Sequence, residues 1–153
     1  MPRSKQVAAL PWRRGKAGVE ILLVTTRGTK RWLIPKGWPM QGKADHDAAA
    51  TEAYEEAGVE GKISSRAFGQ FGYDKISDKG KARRLTVTVY ALQVQKELAD
   101  WPERAERQRR WVNADKAAEL AGEPELVPVL RAFAKRPPPH GLWYWISRLF
   151  QRS

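Results

Sequence analysis

An α+β domain, with a mixed central sheet layered between helices in an αβα sandwich, is what this sequence predicts. Three observations point to it. The chain has 153 residues, of which 42% are hydrophobic, enough for one domain with its own core and too few for two comfortable ones. Short runs rich in β-branched residues mark several strands, and three segments carry helical spacing. The helices and strands do not alternate regularly.

Taken in order, residues 6–12 and 19–26 are predicted strands. The second contains Val19, Ile21, Leu22, Leu23 and Val24. Residues 13–18 between them have the composition of a hairpin loop. Trp32, Leu33 and Ile34 form another short strand, stopped by Pro35, which lacks the N–H a ladder needs. Gly37, Pro39 and Gly42 make 36–43 a loop. The clearest helix spans 44–57. Asp45 or Asp47 can cap it, alanines fill it, and Gly58 stands where a left-handed residue ends a helix. Residues 59–73 and 84–94 are predicted as a strand pair joined by a polar turn. Thr86, Thr88 and Tyr90 alternate there with Val87, Val89 and Ala91. A short strand at 110–113 precedes a helix at 115–121. A last helix follows Pro124 and runs to about Lys135, with Leu126, Val129, Leu130 and Phe133 at helical spacing.

Residues 1–136 are therefore expected to form the domain, and 137–153 a proline-led tail. In that tail Leu142, Trp145, Ile146 and Leu149 share one helical face. A basic, tryptophan-rich helix can lie on a membrane surface. It can equally dock on its own domain or on a second copy, as a homodimer. Docking is the expectation, because soluble proteins seldom leave so much apolar surface bare.

The formal net charge is +11, and there is no cysteine. The second fact excludes disulfides, thiolate metal sites and a cysteine nucleophile. No apolar run reaches the length of a membrane span, and Met1 to Ala9 lacks the apolar stretch of a secretory signal. A cytoplasmic location is expected. The charge favours polyanionic partners: a phosphorylated small molecule, RNA or an acidic membrane. It can also do no more than keep the protein soluble.

The chemistry concentrates in Glu52, Glu55 and Glu56. Their i, i+3, i+4 spacing puts them on one face of the 44–57 helix, where like charges repel. A divalent cation relieves that repulsion, and hard cations such as Mg²⁺ take oxygen ligands and join carboxylates to phosphates. A solvated acidic face is the plainer alternative for three glutamates alone.

The surrounding segment, PKGWPMQGKADHDAAATEAYEEAGV at 35–59, resembles the Nudix box, G-x5-E-x7-R-E-U-x-E-E-x-G-U, in which U is a bulky apolar residue. Gly37, Glu52, Glu55, Glu56, Gly58 and Val59 match, and Ala53 is a small substitute at the apolar position. Lys43 and Thr51 stand where the box has glutamate and arginine, a pair that forms a structural ion bridge in the family. Further stretches are similar to the diphosphoinositol polyphosphate phosphohydrolase subgroup: Val7-Ala8-Ala9, Ile21 to Val24, Arg31 to Pro35, Arg83-Arg84, Leu98 to Trp101, and Arg109-Arg110-Trp111.

The resemblance implies a metal-dependent hydrolase that cuts diphosphate bonds in diphosphoinositol polyphosphates or dinucleoside polyphosphates. It implies that the Lys36 carbonyl, Glu52 and Glu56 hold Mg²⁺ or Mn²⁺, with Glu52 and Glu55 catalytic and Glu55 the general base. It places Lys5, Arg27, Arg83, Arg84 and Arg107 at basic substrate-binding positions. RNA 5′-end hydrolysis and a phosphate-binding module with weak catalysis are the competing readings. Trp38, inside the box loop, is the best candidate to stack on a base.

Overall fold

The structure is a computed structural model that describes residues 3–137. The tail helix anticipated from Gly141 onward lies outside the described residues. Eight strands form one sheet: β1 (Lys5–Gly15), β2 (Gly18–Thr25), β3 (Trp32–Leu33), β4 (Lys36–Gly37), β5 (Val59–Ile63), β6 (Gly69–Ile76), β7 (Ala82–Glu97) and β8 (Arg109–Asn113). The helices are α1 (Asp45–Ala57), α2 (Ala114–Leu120) and α3 (Leu126–Lys135). The sheet is mixed, as expected. β1 and β7 pair in parallel from Lys5↔Thr86 to Trp12↔Gln93, and the other pairings are antiparallel.

Strand alternation builds a core on each face. On β1, Ala8, Leu10 and Trp12 face one side and pack with Phe71, Val87, Val89 and the apolar faces of α2 and α3. Val7 and Ala9 face the other, with Leu22, Val24, Leu92 and α1. The four α1 residues in that second core are Ala48, Ala49, Ala53 and Ala57, all fully buried. Alanine has no side chain beyond Cβ, so α1 lies close on the sheet. That closeness carries the glutamates of α1 into the protein.

Several boundaries differ from the expectation. The 13–18 segment is mostly strand: β1 and β2 stay in register out to Gly15↔Gly18, leaving only Lys16 and Ala17 to turn. Arg13 and Glu20, opposite each other, form a 2.7 Å ion pair that sustains the ladder with polar residues. The strand anticipated at 59–73 is two strands, β5 and β6, both paired with β7. Between them the Ser64 hydroxyl accepts from Arg66 N–H at 3.2 Å, a local bond that competes with the ladder. Ala44 occupies the N-cap of α1 and no side chain caps it; Asp45 and Asp47 sit in the first turn, where their charge suits the helix dipole. At the other end Gly58 has φ 65°, the left-handed terminator that its place in the sequence requires.

Candidate active site

Glu52 and Glu56 lie one turn apart on α1 and are 9% and 6% exposed. Their carboxyls share a hydrogen bond. The box loop closes over them: a Cβ at Gly37 would overlap the Glu52 carboxylate. Only glycine lets the β4 main chain reach that carboxyl, and β4 is itself fixed to β1 through Ala8↔Lys36 and Val7↔Gly37. Glu55 is half-buried on the same helix.

Burial pushes the Glu56 carboxyl up to about 8; Arg107 pulls it down, and the Glu52 charge adds to the rise. Burial also raises Glu52, with Glu55 and Glu103 adding to it and the hydrogen bond from Glu56 opposing. Two carboxyls that hold a proton between them are a site that a positive charge stabilises. Arg107 supplies part of it. Its Nη2 is 3.7 Å from Glu56 Oε2, its Nε bonds Glu103 Oε1 at 2.8 Å, and its Nη1 bonds the Thr25 carbonyl at 3.0 Å.

The C-terminal end of α1 is held from outside by the segment between β7 and β8, together with the first residue of β8. The Glu103 N–H donates to the Glu55 carbonyl at 3.0 Å, Trp101 Nε1 to Glu56 at 3.1 Å, and the Leu98 N–H to Gly58 at 2.8 Å. Arg109 Nη1 donates to Ala57 at 2.9 Å and to Gly58 at 3.3 Å, and its Nη2 to Leu98 at 2.9 Å. Its guanidinium lies 4.0 Å from the Trp101 ring centroid. The carbonyls that a helix end leaves unpaired are thus taken up by donors forty or more residues away. The sequence places Trp101 and Arg109 within the similar stretches, and nothing in it points to this brace.

Beside the glutamates opens a cleft of about 330 Å³, lined among others by Thr25, Arg27, Lys36, Glu56, Lys75 and Arg107. The Lys36 ammonium is partly buried and bonds the Tyr73 hydroxyl at 2.9 Å, and that hydroxyl donates to Gln6 Oε1 at 2.7 Å. Burial lowers the Lys36 pKa, with the nearby Glu56 opposing. Gln6, Tyr73 and Lys75 were not singled out from the sequence. Each lies on a strand whose neighbours in space are distant in the chain.

The basic residues expected to bind substrate separate. Arg27 is at the cleft, paired with Glu103 at 3.3 Å and Glu106 at 3.5 Å. Arg107 is at the cleft but engaged with the glutamates. Arg83 reaches the Trp38 ring, 5.8 Å from its centroid. Arg84, the next residue on the strand, points the other way across Gly72. It pairs with Glu125 at 2.6 Å and Asp74 at 3.6 Å. Lys5 is exposed at the start of β1, opposite Thr86. Lys43 and Thr51 meet: Lys43 Nζ donates to Thr51 Oγ1 at 2.9 Å.

The donor set fits a hard divalent cation. Two buried carboxyls and an adjacent main chain offer oxygen ligands, and Mg²⁺ is commonly bound by one or two carboxylates together with substrate phosphates. Among the described residues no group of three or more His, Cys, Asp and Glu side chains is gathered for a metal.

Known proteins agree with this architecture. The chain is 34% identical over 119 residues to Nudix hydrolase 4 of Arabidopsis thaliana, covering 75% of this chain and 54% of that relative. It is 30% identical over 118 residues to human diphosphoinositol polyphosphate phosphohydrolase 3-beta, covering 76% and 68%. The chain thus spans about half the length of the plant relative. A C. elegans Ap4A hydrolase, solved as a binary complex, superposes with a TM-score of 0.64 at 22% identity, over 87% of this chain and 96% of that one. The family model for the NUDIX domain matches residues 2–133, and with that match across nearly the whole described structure, the chain belongs to the NUDIX domain family.

Proposed function

We propose that this protein is a metal-dependent hydrolase that cleaves a diphosphate bond in a small molecule carrying several phosphates, either a dinucleoside polyphosphate or a diphosphoinositol polyphosphate. The observation that carries this reading is the buried Glu52–Glu56 pair, pressed against the Gly37 main chain at a cleft lined by Arg27, Lys36, Lys75 and Arg107. A carboxylate pair beside a row of cations suits a ligand that brings phosphates and a metal together. Relatives named as diphosphoinositol polyphosphate phosphohydrolases, and the fold shared with an Ap4A hydrolase, support the substrate class.

In this reading Glu52, Glu56 and the Lys36 carbonyl hold Mg²⁺ or Mn²⁺, and Glu55 takes the proton from the attacking water. A hard divalent cation supplies charge that offsets the negative charge developing on the phosphates, and it acidifies nearby water. Arg107 holds Glu56 in place and keeps positive charge at the cleft wall. Lys36, steadied by Tyr73, presents an ammonium to the same space.

The test is a substrate panel with Mg²⁺, Mn²⁺ or EDTA, reading phosphate and nucleotide products. The panel holds diadenosine polyphosphates, diphosphoinositol polyphosphates, ADP-ribose and 5′-triphosphate RNA. Metal-dependent cleavage of the first two classes is expected. Cleavage of the RNA alone, or of no member with either metal, would overturn the proposal.

A further inference from the structure

Trp38 gathers three cations. The Arg3 guanidinium lies 4.4 Å from its ring centroid, the Lys75 ammonium 5.4 Å and the Arg83 guanidinium 5.8 Å. They arrive from three different parts of the chain. Lys75 and Arg83 face each other across the β6–β7 ladder, Arg3 precedes β1, and Trp38 follows β4. The Ser4 carbonyl accepts from the Thr86 N–H at 2.9 Å, which ties the chain beside Arg3 to β7.

Like charges repel, and the face of an indole offsets only part of that repulsion. Several other cationic side chains find carboxylates: Arg13 pairs with Glu20, Arg27 with Glu103, Arg84 with Glu125, and Arg107 with Glu56 and Glu103. Among the described residues Arg3, Lys75 and Arg83 have no carboxylate within ion-pair distance. Arg83 also carries a buried Nη2 with no hydrogen-bond acceptor among those residues. Buried guanidinium donors are seldom left unbonded, and a phosphate oxygen is the acceptor they match best. Lys75 joins this cluster to the cleft, because it lines the cleft together with Lys36, Glu56 and Arg107.

We infer that Arg3, Lys75 and Arg83, assembled on Trp38, form a second anion subsite, which takes phosphate groups of the substrate remote from the bond that is cut. The identity of its ligand as a part of the substrate rests on the hydrolase reading above. Trp38 then serves as the platform that orders the cations, not as a surface for stacking a base, since cations already occupy its surroundings. A substrate with one diphosphate fills the cleft alone. A longer phosphate chain, or a ring bearing several phosphates, fills both.

The test uses the full chain in EDTA and inorganic tripolyphosphate as the probe, with binding followed by calorimetry. Arg83→Ala should weaken binding by about tenfold, the scale of one lost charge-assisted bond. Trp38→Leu removes no charge, yet should weaken binding severalfold by releasing the cations. Arg131→Ala removes an equal charge from the exposed face of α3 and should change binding by less than about twofold. Arg83→Lys keeps the charge without the fork and should fall between Arg83→Ala and the unmodified protein. Equal weakening by Arg83→Ala and Arg131→Ala, or no change in Trp38→Leu with its melting temperature intact, would overturn the subsite. Hydrolysis then separates the two proposals. If diadenosine pentaphosphate and ADP-ribose are both cut and Arg83→Ala lowers kcat/KM equally on both, the subsite fails and the hydrolase reading stands. If no diphosphate is cut but the tripolyphosphate results hold, the hydrolase reading fails and the anion site stands.

Discussion

Lys43 Nζ donates a 2.9 Å hydrogen bond to Thr51 Oγ1, and the same hydroxyl donates to the Asp47 carbonyl one turn back at 3.0 Å. The two positions that depart from the Nudix box are therefore in contact, with a hydrogen bond where the family has an ion pair. The bond ties the box loop to the outer side of α1, the helix that carries Glu52 and Glu56.

That contact makes the two positions energetically coupled. Thr51→Arg alone sets a second cation against Lys43, and Lys43→Glu alone leaves a carboxylate facing a hydroxyl. The double change rebuilds an ion pair. A double-mutant cycle on thermal stability and kcat/KM should show the double variant better than the sum of the singles by roughly 0.5–3 kcal/mol. Simple additivity would show that the bond carries no weight.

The Glu56 carboxyl gives the metal-free protein a pH dependence of known sign. Its folded pKa of about 8 lies above the ordinary glutamate value of 4.5. The folded state therefore binds more protons than the unfolded state between those values. The stability this contributes is complete below about pH 4.5 and is lost as pH rises to about 8. Glu52 shifts in the same direction, and Glu55, Glu103 and Arg107 face the pair. A pKa displaced by one pH unit is worth about 1.4 kcal/mol, or about 3–6 °C in Tm for a domain near this size. In EDTA the melting temperature should fall from pH 6 to pH 8.5, and saturating Mg²⁺ should cancel most of the fall. A Tm that rises over that window would contradict the buried pair.

Arg109 closes α1 from a strand on the far side of β2. Removing it as Arg109→Ala strips donors from the Ala57, Gly58 and Leu98 carbonyls and uncovers Trp101. The expected loss is about 1.5–3 kcal/mol, the range for hydrogen bonds to a charged group. Metal affinity should fall as well, because Glu56 sits in the last turn that the brace fixes. Arg109→Lys should recover part of both. Calorimetric Mn²⁺ binding alongside thermal melts checks this, and a destabilised variant with unchanged Mn²⁺ affinity would make Arg109 purely structural.

Arg83 and Arg84 should separate in function as they do in space. On diadenosine pentaphosphate, Arg83→Ala should cost several times more kcat/KM than Arg84→Ala, since Arg84 is engaged with Glu125 and Asp74. Equal losses would bring Arg84 back into the substrate site.

Much of the site was legible in the chain because its geometry is local. The spacing of Glu52 and Glu56, the terminator Gly58 and the glycine at 37 all act within one loop and one helix. The split of Arg83 from Arg84 was legible in principle, since neighbours on a strand point to opposite faces. The Arg109–Trp101 brace was not. Its bonds join Leu98 and Ala57 through a residue on β8, and no periodicity signals a contact of that span. The break between β5 and β6 was hidden for a related reason: both strands pair with one long β7, so the pairing resumes on the same strand after residues 64–68.

In the proposed hydrolysis the Glu52–Glu56 pair holds the divalent cation on which cleavage of the diphosphate depends. The most direct measurement is a Mg²⁺ titration of diadenosine pentaphosphate hydrolysis by the unmodified protein and by Glu56→Gln. No hydrolysis is expected in EDTA, with recovery on adding Mg²⁺ or Mn²⁺, and Glu56→Gln should show a markedly lower rate together with a higher metal requirement. Full activity in EDTA, or a Glu56→Gln protein that matches the unmodified one at every Mg²⁺ concentration, would contradict it.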